Sequence, residues 1–403
     1  MRNACFGWVM LNGAMATYTQ RYRVAPASSH GTNAMDSFPR AAVVIVFLLA
    51  SLTMLPMRAN AAPEQAATDE QAQTQAAADA LQQWYAQDTG LYKTTGWWNS
   101  ANAITTLANL SRVSHSTAYL PVFANTLRVA QTRPSGAPGF LNKYYDDEGW
   151  WALAWIDVYD LTGEPQYLRM ADSIFSDMQL GWETTVCGGG VWWSKDNKNK
   201  NAIENELFLA VAAALANREK DAAKRQGDLA WAHKEWTWFL NSGMINSNHL
   251  VNDGLNLSDP AHCRNNYRNT WTYNQGVILG ALVELNKADP DPNLKKTANA
   301  IALAAIKRLI DAHGVLLESA RGQNGGDGPQ FKGIFARNLM VLNSAFPNRR
   351  YQAFLAANAR SVLDKDKDAT NHLGFWWAGP FDRADAARQS SALDVLVAAY
   401  GLQ

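Results

Sequence analysis

The chain has 403 residues, with 36 Lys or Arg balanced by 36 Asp or Glu, and 16 of its residues are tryptophan. No basic stripe or Lys/Arg run is present to neutralise phosphates, which excludes nucleic acid as an expected partner. About 340 residues follow the leader described next, more than a usual single domain, so one body or two must be decided from the pattern of elements.

The segment "PRAAVVIVFLLASLTMLPMRANAAP" combines a basic Arg40, an apolar run from Ala41 to Leu55 and an Ala59-x-Ala61 ending, the three parts of a secretory signal peptide. The run of about 15 residues is shorter than the roughly 20 a membrane-spanning helix needs. Residues 1–61 are therefore expected to be an N-terminal extension and signal peptide, with Met35 as a second possible start, cleavage after Ala61 and no membrane attachment afterwards. That leader holds five basic residues (Arg2, Arg21, Arg23, Arg40, Arg58) and one acid (Asp36), so 31 bases and 35 acids remain, a net charge of −4.

Residues 62–75 are rich in Ala and Gln and predict a linker; a helix follows with Ala78, Leu81 and Trp84 on one face. From there to residue 403 helical periodicity recurs and strand-like alternation is nearly absent, apart from short pieces such as "GGGVWW". The helices alternate. One set is ordinary and amphipathic, at 68–86, 118–132, 165–180, 223–241, 293–311 and 350–364. The other opens on aromatic and polar clusters: "WWNSANAITTLANL" at 97, "YYDDEGWWALAWIDVY" at 144, "KNAIENELFLAVAAAL" at 200, "RNTWTYNQGVILGALVEL" at 268, "FKGIFARNLMVLNSAF" at 331 and "RQSSALDVLVAAY" at 388. Intervals of about 45–70 residues separate them.

Six such pairs suit one closed toroid over 76–403, an all-α (α/α)6 barrel with the second helix of each pair inside, because those helices are apolar over most of their circumference. Parallel inner helices gather their first turns at one end, so the polar and aromatic clusters converge on that rim. Cys187 and Cys263 are the two cysteines left after the leader. They suit a disulfide in an exported protein, or two unpaired buried thiols, but they have no partners at zinc spacing.

Taken in order, "YYDDEGWWALAW", "GGGVWW", "KNAIENELF", "WTYNQG", "FKGIFARNL" and "SALDVL" resemble glycoside hydrolase family 76, the endo-α-1,6-mannanases, from about Ala78 to Leu402. The resemblance implies an (α/α)6 barrel that cleaves α-1,6-linked mannan backbones with retention, using no metal or organic cofactor. It also implies Asp146 as nucleophile and Asp147 as acid/base. The charged "SKDNKNKNAIE" at 194–204 and Asn338 depart from the family pattern, and the first of these bears on distal sugar contacts.

The acid pair has its own chemistry. Neighbouring residues on an ideal helix point about 100° apart, but at a helix entry one of them can leave helical geometry and bring two short carboxyls to about 5 Å, the separation retaining glycosidases use. Like charge and aromatic surroundings then raise a carboxyl pKa, so that one acid holds a proton while the other stays charged. The plainer reading is that an Asp caps the helix.

Trp97, Trp98, Trp150, Trp192, Trp193, Trp271, Tyr273 and Trp376, with Tyr145 beside the acids, are candidates for stacking on sugar faces, with one member of each WW pair expected to pack inward. Asn99, Asn201, Asn205, Asn274, Gln275 and Lys332 are candidates for reading hydroxyls. None of the seven histidines opens a motif helix, which disfavours a histidine-based sugar epimerase. The expectation is an exported, monomeric glycosidase acting inside α-mannan chains, with a transglycosidase or a non-catalytic glycan-binding protein as alternatives.

Overall fold

The computed structural model describes residues 61–131, 138–318 and 326–402. Backbone packing divides the chain into Met1–Met57 and Arg58–Gln403. The first unit and the expected signal peptide lie outside the described residues, apart from Ala61.

Among the described residues the second unit forms twelve α-helices. Six make an inner ring: α2 (Trp97–Ser114), α4 (Tyr145–Thr162), α6 (Ala202–Arg218), α8 (Thr272–Ala288), α10 (Gly328–Ala345) and α12 (Ala386–Tyr400). Each packs on the next, and α12 returns to α2, which closes the toroid. The outer set is α1 (Ala61–Gln82), α3 (Leu120–Ala130), α5 (Pro165–Met178), α7 (Ala222–Asn241), α9 (Pro292–Arg308) and α11 (Arg349–Lys365). Both sets match those expected from the sequence except α1, which starts before residue 68 and ends before Trp84.

Composition explains which helix goes where. In α6 every residue from Ala202 to Ala216 is buried, and in α12 every residue from Ala386 to Ala399. A helix without a polar face has no place on the outside. Outer α5 instead buries one stripe, Tyr167, Ala171, Ile174, Phe175 and Met178. Small residues set the spacing of the ring: a Cβ at Gly276 would lie 2.7 Å from the Phe335 Cα, and one at Gly333 would lie 2.4 Å from the Ser391 carbonyl.

The stretch 62–75, expected as a linker, is instead continuous with α1. Ala and Gln are good helix formers, and α1 docks on α12, with Thr74, Ala77, Ala78 and Leu81 buried. Low complexity concealed only the first turns of a helix expected from residue 68. Among the described residues sheet is confined to two antiparallel two-residue pairs, β1 (Tyr85–Ala86) with β2 (Leu91–Tyr92) and β3 (Leu255–Asn256) with β4 (Arg264–Asn265).

Cys187 and Cys263 are joined in a disulfide across 76 residues of sequence. It ties the loop before α6 to the β3–β4 hairpin before α8, both at the rim. Closing so long a loop restrains the unfolded chain, and Cys187→Ser with Cys263→Ser is expected to lower stability by about 2–4 kcal/mol. Urea unfolding of oxidised and double-Ser protein reads this directly; equal midpoints would contradict it.

Candidate active site at the barrel rim

The first turn of α4 carries Asp146, Asp147 and Glu148 after an extended Tyr144. Its entry is fixed from two sides. The Tyr145 backbone N–H donates to the Trp193 carbonyl at 3.1 Å, and Asn142 accepts from the Tyr144 N–H at 2.7 Å. The Asn142 amide also donates to Asp147 Oδ2 at 2.6 Å, and its backbone N–H donates to Glu148 Oε1 at 2.9 Å. Lys195 completes this base, with Nζ 2.7 Å from both Glu148 and Asp177. No side chain caps α4, so the helix-capping reading of the Asp pair does not hold.

Both aspartates are half-buried. Asp146 Oδ2 accepts from the Trp193 indole N–H at 3.2 Å, while its Oδ1 is buried without a partner. Burial pushes Asp146 up to about 7, against the opposing pull of the Trp193 bond and backbone N–H groups. Burial, and then the charge of Asp146, hold Asp147 well above the usual carboxylate range, while Asn142 pulls the other way. A third carboxylate, Asp327, raises both. Two acids so coupled titrate as a pair, and one proton stays on the pair well above the usual carboxylate pKa.

These folded-state pKa values lie above those of the unfolded chain, so their contribution is fully present below about pH 4. It is lost as pH rises through the folded values, near 7 for Asp146. Asp146→Asn is therefore expected to raise the thermal midpoint most at about pH 8, less at about pH 5, and little below about pH 4. A shift of the same size at about pH 8 and below about pH 4 would contradict this.

Aromatic rings from the first two turns of α2, α4, α8 and α10 form a closed cycle. Trp98 stacks on Trp150 at 5.7 Å, Trp150 on Tyr273 at 6.4 Å and Tyr273 on Phe331 at 4.0 Å. Phe331 returns to Trp98 at 6.4 Å. The rim-side indoles are held by carboxylates, Trp98 Nε1 to Asp327 at 3.2 Å and Trp271 Nε1 to Asp253 at 2.6 Å. A cavity of about 460 Å³ lies behind Trp150 toward the C-terminal turns of the inner helices, lined by Leu153, Asp157, Ala210, Val277, Arg337 and Asp394. It does not include the acid pair.

Other expected site residues have different tasks. Trp97 packs on Trp151 at 5.6 Å, and buried Trp192 lies under Lys200. Trp376 stands edge-on to Phe375 in the α11–α12 connection. Tyr145 is buried, with Lys195 over its ring. Asn99 accepts from the Gly96 N–H at the start of α2, and Asn201 forms the capping box of α6 with Glu204. Asn205 clasps Val191 through its N–H at 2.7 Å and its carbonyl at 3.2 Å. Gln275 does the same for Val251 at 2.8 and 2.9 Å.

Asn205 and Gln275 are buried with their bonds already made to backbone, which removes them as hydroxyl readers; Asn99 is buried against Gln330, and Asn201 is half-buried. Lys332 is also withdrawn. It is buried, donates to the Phe375 carbonyl at 2.5 Å and lies 4.5 Å from the Phe375 and Trp377 rings. Burial pushes it down to about 7. Asn274 differs, being buried with neither amide atom bonded. Asn142, Asp253, Asp327 and Phe331 are site residues absent from the sequence-based set; only Phe331, inside "FKGIFARNL", stood in a motif. Among the described residues no cluster of His, Cys, Asp and Glu is placed to hold a metal, and no helix is long and apolar enough to cross a membrane.

A toroid of paired helices with a coupled acid pair and facing aromatic rings at one rim has the make-up of a carbohydrate-active protein. The chain belongs to Glycosyl hydrolase family 76, whose profile matches residues 68–402. It is similar to the mannan endo-1,6-alpha-mannosidase DCW1 of Saccharomyces cerevisiae, 28% identical over 278 residues, which is 62% of this chain and 59% of that protein. The chain thus aligns with less than two thirds of that relative's length. The mannan endo-1,6-alpha-mannosidase DFG5 of Candida albicans is 24% identical over 331 residues, 75% of this chain and 72% of that protein.

Among solved structures the fold is similar to the alpha-1,6-mannanase GH76A of Salegentibacter sp. HEL1_6, in an inactive variant changed at two adjacent aspartates and bound to an alpha-1,6-linked mannose tetramer. The TM-score is 0.75 at 23% identity, covering 83% of this chain and 100% of that one. Dfg5 from Chaetomium thermophilum in complex with glucosamine gives 0.72 at 18% identity, with 83% and 91% covered.

Proposed function

We propose that this protein is a retaining endo-α-1,6-mannanase that acts outside the cytoplasm. The observation that carries the reading is the half-buried pair Asp146 and Asp147, held in different environments at the start of α4. Asp147 carries the pair's proton and gives it to the glycosidic oxygen as the bond breaks. Asp146, with an indole N–H and helix N-terminal amides to stabilise its charge, attacks the anomeric carbon and forms a covalent mannosyl ester. Asp147 then takes a proton from water, which releases the sugar with its configuration retained. Trp98, Trp193, Trp271 and Tyr273 offer half-buried ring area for the sugar faces.

The relatives named for α-1,6-mannan cleavage support this substrate, and the leader and the disulfide support export. The test is chromatography of products after incubating residues 62–403 with linear α-1,6-mannan. Oligomers of mixed length are expected from the wild type and none from Asp146→Asn or Asp147→Asn. An intact polymer with wild type contradicts the proposal, and products longer than the substrate point to transfer onto a second sugar instead of water.

A further inference from the structure

The exposed large hydrophobic side chains among the described residues are Leu180, Leu240, Leu317 and Tyr267, and Tyr267 is the most exposed, at 78%. Its backbone adopts φ +52°, a left-handed conformation unfavourable for an aromatic residue. Such a conformation persists only where its surroundings impose it, and sites of this kind cluster at ligand contacts.

Here the surroundings are a buried asparagine network. The Tyr267 N–H donates to Asn265 Oδ1 at 2.7 Å, and Asn265 Nδ2 donates to the Gly243 carbonyl and to Asn252 Oδ1 at 2.8 and 3.0 Å. Asn252 Nδ2 donates to the Arg268 carbonyl at 2.5 Å, and Asn246 Nδ2 donates to Asn252 Oδ1 at 2.8 Å. The Tyr267 N–H and the Arg268 carbonyl are thus both held by buried asparagine side chains, while the ring itself is exposed.

Its position is tied to the rim. Tyr267 lies between β4 and Trp271. The Asn269 carbonyl accepts from Asp253 N at 2.9 Å, and Asp253 receives the Trp271 indole. The Cys187–Cys263 disulfide fastens the same hairpin to the loop that carries Trp193 onto Asp146. A rigid strap therefore presents a flat, exposed ring at the side of the rim between α6 and α8, with exposed Arg268 next to it.

We propose that Tyr267 is a stacking platform for a mannosyl unit remote from the bond being cleaved, and so sets a preference for longer chains. This rests on the mannanase reading above. It explains why a strained backbone and a buried amide network hold a side chain that packs against so little of the protein.

The test compares kcat/KM on α-1,6-linked mannose oligomers of increasing length for wild type, Tyr267→Ala, Tyr267→Phe and Tyr267→Gly. Loss of the ring is expected to lower kcat/KM on long oligomers by about five- to tenfold, mainly through KM, with the shortest cleaved oligomer unaffected. Phe keeps the ring and is expected within about twofold of wild type. Gly shares the long-chain loss while its thermal midpoint rises by about 1–2 °C, because glycine adopts a positive φ freely. An equal loss at every length, no loss at any length, or a loss with Phe overturns the inference. Wild type inactive at all lengths instead refutes the mannanase reading, and this inference with it.

Discussion

Asp146→Asn is expected to lower kcat on α-1,6-mannan by about 10⁴-fold, because an amide cannot form the glycosyl ester and the second acid alone cannot replace it. Asp147→Asn is expected to act differently. It removes the proton donor, so its effect depends on how much help the leaving group needs. On mannan the loss should be about 10³-fold, within the range for general acid catalysis. On an aryl α-mannoside with an acidic phenol, which leaves without protonation, bond cleavage should be nearly normal and hydrolysis of the intermediate should become slow. Steady-state and burst kinetics of both variants on both substrates separate the roles; equal losses for the two variants on the aryl substrate would contradict the assignment. Asp146→Asn also removes the charge that raises Asp147, so the pKa of Asp147 should fall, which NMR titration of its carboxyl can read.

The second large effect concerns Lys200, which takes no part in the chemistry. Its side chain is fully buried. Nζ donates to Glu183 Oε1 at 2.8 Å, to the Val186 carbonyl at 2.8 Å and to the Gly189 carbonyl at 2.6 Å. The Trp192 ring lies 4.8 Å away. This ammonium gathers the whole loop before α6. Burial alone would raise Glu183, yet bonds from Lys200, Thr185 and the Val186 N–H hold it down to about 2.

Lys200→Met would leave the Val186 and Gly189 carbonyls without the Lys200 donor and Glu183 without its counter-charge, and a loss of about 3–5 kcal/mol is expected. The same loop presents the Trp193 indole to Asp146, so kcat should fall along with stability, whereas a purely structural lysine elsewhere would lower stability alone. Urea unfolding at pH 7, with kcat measured well below the midpoint, distinguishes these; a loss below 1 kcal/mol would show that the loop holds itself.

The barrel could be read from the sequence because its two kinds of helix have different neighbours. Inner helices such as α6 and α12 touch protein on every side and lose their polar face, while outer ones such as α5 keep an apolar stripe. That contrast survives in a one-dimensional sequence. The linker reading of 62–75 missed the first turns of α1 for the same reason in reverse, since Ala and Gln are good helix formers whose small contacts leave a weak periodic signal.

The acid pair was legible because two adjacent aspartates among aromatics are unusual for a mere cap. Its supports were not. Asn142 lies outside the helix, and Asp253 and Asp327 reach the rim from distant loops, so only folding brings them together. Asn205 and Gln275 misled because an amide that clasps a loop and one that reads a hydroxyl have the same composition and place in a motif. Burial separates the two: Asn205 and Gln275 are enclosed with their bonds complete. Lys332 is the same case with a charge, enclosed between Phe375 and Trp377. The cysteines left two readings open in sequence, and their juxtaposition at the rim selected one.

Proton NMR of an α-1,6-linked mannose hexamer during its first minutes with the wild-type protein separates the two stereochemical routes. If Asp146 and Asp147 work through a covalent intermediate, the new reducing ends appear first as the α anomer and only later equilibrate with β. Reducing ends that appear first as β would mean direct attack by water, and would contradict the paired-acid mechanism proposed for this rim.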